Sequence, residues 1–111
     1  MLTPGQCEDE LRRLSKKLED KTDALAGLLQ EAAQAEATYR IEHAKALLRS
    51  VCPTDKQKDA DATEQTAVQL TLRKTSEAVA DAAKESVRSL RDQLSACQSA
   101  NANVRFQAGL T

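Results

Sequence analysis

The thiol and imidazole chemistry of this chain rests on Cys7, Cys52, Cys97 and the single histidine, His43. The cysteines are odd in number, widely spaced and free of any C-x-x-C pair. A structural zinc site needs four clustered Cys or His ligands, and a secreted disulfide framework needs an even count. The expectation is three reduced thiols in a cytosol, with Cys97 serving as a small apolar side chain.

His43 has Glu36 one heptad earlier, Tyr39 one turn back and Glu42 adjacent. Helical di-metal sites use Glu-x-x-His, which requires a glutamate at position 40, where Arg40 stands. No metal role is expected. No glycine-rich phosphate loop, G-x-S-x-G motif or Cys-His pairing occurs, and the carboxylates are interleaved with lysine and arginine, the pattern of solvated helix faces. The expectation is a protein that is not an enzyme and takes no cofactor.

The densest basic cluster is RRLSKK: Arg12, Arg13, Lys16 and Lys17. In an antiparallel hairpin it would approach Arg105 and Arg91 near the other end of the chain, a set of cations able to contact phosphates. Ordinary pairing at i, i+4 with Glu8, Asp9 and Asp20 is the competing reading, and it is favoured. With only Tyr39 and Phe106 aromatic, the chain has few platforms on which single-stranded bases could stack.

These residues must be positioned by helices. Nineteen alanines and two aromatic residues make the apolar content mostly small, which suits long, closely packed helices rather than a bulky core. The 111 residues fit one domain, and a net charge of -1 provides no global field for nucleic acid or an acidic membrane. The longest apolar runs are three residues, too short to cross a bilayer, and MLTPGQCEDE lacks the basic and apolar regions of a secretory signal. The chain reads as cytosolic, with no membrane partner.

The only prolines, Pro4 and Pro53, divide the chain into two uninterrupted segments. Thr3, Pro4 and Gln6 form a capping-box start. This predicts a helix over about 4–51, carried through Gly27, a polar turn over about 52–61 and a second helix over about 62–107. Asp61 with Glu64 is the expected cap of the second helix, with Thr54 and Gln57 as a competing start.

Leu14, Leu18, Leu25, Leu28 and Tyr39 on the first helix, with Leu72, Val79, Leu90 and Leu94 on the second, follow heptad spacing and form the predicted packing seam. Asn101 falls on the same seam, where a buried asparagine would fix register. The polar run SANAN makes a solvated last turn the expectation instead. Leu29, Ile41, Leu47 and Leu48 widen the first stripe beyond one seam. The predicted fold is therefore all-α: an antiparallel two-helix hairpin, or coiled coil, dimerising into a four-helix arrangement that covers the extra stripe.

The passages AEATYRIEHAKALLRS and SLRDQLSACQSANANVR, in the order long helix, polar turn, long helix, resemble small helical-hairpin proteins encoded among the early genes of phages and prophages, particularly those of actinobacteria. The resemblance implies a cytosolic phage protein expressed alongside replication and recombination functions. It transfers no catalytic or binding residue. The leading expectation is a homodimeric module presenting a charged surface to a protein partner that the sequence does not identify. A nucleic-acid accessory protein using Arg12, Arg13, Lys16, Lys17 and Arg105 is the first alternative, and a virion assembly scaffold the second.

Overall fold

The computed structural model describes residues 3–109, and they are all-α: α1 spans Pro4–Arg49, α2 Asp55–Gln65 and α3 Ala67–Gly109. No strand occurs among the described residues. The start of α1 follows from its capping box. The Gln6 N–H donates to Thr3 Oγ1 at 3.2 Å, and Gln6 Oε1 accepts from the Thr3 N–H at 2.9 Å. Two backbone donors that the helix leaves without partners are thereby satisfied.

The first helix ends at Arg49, two residues short of the predicted end, and residues 50–54 form the connection. Most of the predicted polar turn is helix α2. Its start is Thr54, the competing start noted above, in extended conformation (φ -116°, ψ 153°) with its Oγ1 accepting from the Gln57 N–H at 3.1 Å. Asp55 then places a negative charge in the first turn, which suits the helix dipole. Asp61 caps nothing. It lies inside α2, where its carboxylate accepts from the Gln65 side chain at 3.2 Å.

The interruption falls at Thr66 instead (φ -108°, ψ 25°), a buried residue whose hydroxyl donates to the Ala62 carbonyl at 2.6 Å. A threonine that bonds back to the preceding turn competes with the helical ladder and bends it. The ladder resumes at once, with the Leu70 N–H donating to the Thr66 carbonyl at 2.9 Å.

The chain forms two compact units, one of residues up to Leu25 with those from Ala82, the other of Ala26–Asp81. In the first unit, the opening turns of α1 lie beside the closing turns of α3. The Cys97 thiol reaches the Cys7 carbonyl at 4.0 Å, and Arg105 Nη2 reaches Glu8 Oε1 at 3.3 Å. These contacts place the first turns of α1 beside the last turns of α3. Its core is Cys7, Leu14, Val87 and Leu90, flanked by half-buried Leu11, Leu18, Leu25, Leu94, Cys97 and Val104. Asn101 corrects the expectation of a solvated last turn: it is buried, at 8% exposure, and its Oδ1 has no hydrogen-bond partner among the described residues.

In the second unit, the last turns of α1 lie against α2 and the preceding turns against the start of α3. Its buried residues are small: Ala46, Ala62, Thr66 and Ala80. Leu28, Ala32, Ala35, Tyr39 and His43 of α1 are half-buried, as are Gln69, Leu70, Arg73 and Ser76 of α3. Small side chains bury little area per residue, so the stability of this unit depends on close approach and a continuous backbone ladder more than on bulk.

Candidate interaction surface

Of the predicted seam, Leu14 and Leu90 are buried, and Leu18, Leu25, Leu28, Tyr39 and Leu94 are half-buried. Leu72 and Val79 depart from the prediction, with exposures of 57% and 45%. The inward positions of that stretch are Thr66, Gln69, Arg73, Ser76, Ala80 and Ala83, which continue the three-and-four rhythm of Val87, Leu90 and Leu94 backward without a break. Leu72 and Val79 stand roughly 75° to one side of the inward direction of α3, and Val68 lies further round the same flank, because each residue advances the helix by about 100°.

Leu72 and Val68 line exposed hollows on this flank. A shallow groove of about 230 Å³ is bounded by Glu31, Gln34, Ala35 and Thr38 of α1 and by Gln69 and Leu72 of α3. A second hollow adjoins it at Ala67, Val68, Thr71 and Leu72. Glu31 is the only ionisable residue among these, in a chain that is 30% charged. Depletion of charge around exposed apolar side chains marks the centre of protein interfaces, whereas solvated helix faces carry charge throughout. Ile41 and Leu48, expected to widen the α1 stripe toward a second neighbour, are exposed at 55% and 89%.

Behind the groove, a polar and aromatic layer fixes the second unit. The Arg73 guanidinium lies 4.8 Å from the centre of the Tyr39 ring, and the Tyr39 and His43 rings stand 5.5 Å apart. His43 Nε2 sits 3.3 Å from Asp59 Oδ1 and 3.4 Å from Thr63 Oγ1 of α2. The imidazole thus joins α1 to α2 through polar contacts, and no metal-binding cluster occurs among the described residues. Arg73, Asp59 and Thr63 were missed from sequence. The backward heptad rhythm would have found Arg73, whereas Asp59 and Thr63 required knowing that the polar turn is helical.

The basic cluster does not converge on a cationic face. Arg12 pairs with Asp9 at 3.9 Å, Arg13 with Glu10 at 3.0 Å, Lys16 with Asp20 at 3.2 Å and Arg105 with Glu8 at 3.3 Å. Lys17 alone of the five has no ion pair among the described residues. The Arg13 hydrogen bond holds the Glu10 carboxyl below the usual carboxylate range, and Glu10 raises Arg13 in return. Lys16 is raised by its hydrogen bond to Asp20. Exposed pairs of this kind stabilise the fold little, yet they leave the surface electrically balanced, which weakens phosphate attraction.

All three cysteines are free, with Cys7 buried and Cys52 and Cys97 half-buried. Burial pushes the Cys97 thiol up, and the neighbouring Cys7 acts in the same direction. No described helix is long and apolar enough to cross a membrane. No protein family, curated protein or solved structure matches this chain.

Proposed function

We propose that the chain is a non-enzymatic helical interaction module that self-associates through the uncharged flank around Leu72, giving a four-helix arrangement, and presents its charged faces to a protein partner. The observation that carries this reading is the charge-poor apolar surface of Val68, Leu72 and the adjoining groove. A two-fold pairing uses the same patch on both copies, so one flank that offers both a ridge and a groove is suited to it.

Nucleic-acid binding ranks lower in this reading, because four of the five candidate cations already face carboxylates. The resemblance to phage early proteins suits a host-cytosol setting in which the module works beside replication or recombination proteins. Sedimentation equilibrium on the wild type and Leu72→Glu tests the proposal. The wild type is expected at twice the chain mass, and the variant, with a carboxylate in the apolar flank, at the chain mass with its helix content retained. A wild type that stays monomeric at high micromolar concentration refutes self-association, and a dimeric Leu72→Glu variant refutes this flank.

A further inference from the structure

We propose that Cys7 and Cys97 form a redox-closed clasp, an intrachain disulfide that ties the first turns of α1 to the last turns of α3 when the protein meets a hydroperoxide. Two observations in the unit that contains both residues support it. The Cys97 sulfur lies 4.0 Å from the Cys7 carbonyl oxygen, which brings two cysteines 90 positions apart in sequence to facing points of neighbouring helices. The Cys7 side chain is 1% exposed, so it is enclosed within the unit formed by the first turns of α1 and the last turns of α3. A disulfide needs α-carbons about 4.4–6.8 Å apart with side chains pointing toward each other. Closely packed helices with small side chains at the contact approach that range.

The difference in exposure sets the order of events. Cys97 is half-buried and can be reached by a small oxidant, whereas Cys7 cannot. The Cys97 sulfur, in the small fraction of molecules in which it is ionised, attacks the terminal oxygen of the hydroperoxide; the O–O bond breaks, and the alcohol or water leaves with a proton, giving a sulfenic acid at Cys97. The Cys7 sulfur then attacks the Cys97 sulfur, forming the S–S bond and expelling the hydroxyl as water. In sum, two thiols and one hydroperoxide give one disulfide, one alcohol and one water, with two electrons passing from the sulfurs to the peroxide. Cys52 belongs to the other unit, on the connection after α1, and serves as an internal control.

The test treats the native full-length protein with hydrogen peroxide and follows intact mass, tryptic linkage and thermal unfolding. The clasp predicts loss of two hydrogens, a peptide pair joining Cys7 to Cys97 within one chain, and reversal by dithiothreitol. Closing a loop of this length should raise the melting temperature by roughly 10–20 °C, and Cys7→Ser and Cys97→Ser should each abolish both the linkage and the rise. Oxygen addition at Cys97 without linkage to Cys7, linkage between chains, or Cys52 linking as readily as Cys7 would each overturn it.

Discussion

Leu90 and Leu72 have the same side chain on the same helix, and the heptad pattern alone assigns both to the seam. Their environments differ, with Leu90 at 5% exposure and Leu72 at 57%. Truncating Leu90 to alanine removes buried carbons worth about 0.8 kcal/mol each, or about 2.4 kcal/mol in all before any cavity cost. Buried Leu→Ala changes span about 2–5 kcal/mol, and a narrow seam with small neighbours can partly close the gap. The expected loss is therefore about 2–3 kcal/mol, a large share of the stability of a small domain. The same truncation at Leu72 removes carbons that are already more than half in water, so about 1 kcal/mol or less is expected within one chain. Urea unfolding followed by circular dichroism, at two protein concentrations, separates the effects. Leu90→Ala should lower the midpoint at both concentrations, whereas Leu72→Ala should act mainly at the higher, where association contributes. Equal losses for the two variants at the lower concentration would show that the inward phase of α3 is misassigned.

Four further outcomes follow from single residues. Gly27 lies inside α1, and a Cβ built there meets nothing within 4 Å, so Gly27→Ala should stabilise by about 1 kcal/mol in denaturant titration. Thr54→Ala removes the α2 cap, at about 1 kcal/mol, and should speed amide exchange in α2 about fivefold while leaving α1 unchanged. Asn101→Leu replaces a buried oxygen that lacks a partner among the described residues, and a rise of about 1 kcal/mol is expected from chemical unfolding. Because the folded state raises the Cys97 pKa, the neutral thiol is the form it favours. The associated stability is fully present below the unfolded-state value, about 8.5, and is lost as pH rises through the folded value. Melting temperatures from pH 7 to 10 should therefore fall more steeply for the wild type than for Cys97→Ala.

Much of the fold was legible because α1 obeys local rules. Thr3, Pro4 and Gln6 mark its start, and Leu14, Leu18, Leu25 and Leu28 repeat with the period of an inward stripe. The first half of α3 was harder for a physical reason. Its inward positions are Thr66, Gln69, Arg73 and Ser76, polar residues tolerated there because Tyr39 accepts the Arg73 guanidinium on its face and small side chains allow close approach. The larger apolar residues, Val68, Leu72 and Val79, point elsewhere, and a search for hydrophobic periodicity selects them first. Asp61 and Thr54 are equally good caps on composition, and the contest was settled by Pro53, which disfavours helix in the residue before it and so lets a new helix begin just beyond. For the candidate surface the same ambiguity mattered: the leucine and valine left outside the seam are the exposed residues on which the proposed association rests. The ion pairs along RRLSKK were readable from i, i+3 and i, i+4 spacing, whereas the Glu8 and Arg105 pair needed the contact between the first turns of α1 and the last turns of α3.

The proposed association runs through an apolar flank and does not depend on phosphate contacts. Solution mass by light scattering at low and high salt, with and without a short DNA duplex and a single strand, tests it most directly. Twice the chain mass is expected in every condition, because burial of apolar surface is insensitive to the salt that screens charges. A monomer at low salt without DNA, or a protein–DNA complex that dissolves as salt rises, would contradict it and return function to Arg12, Arg13, Lys16, Lys17 and Arg105.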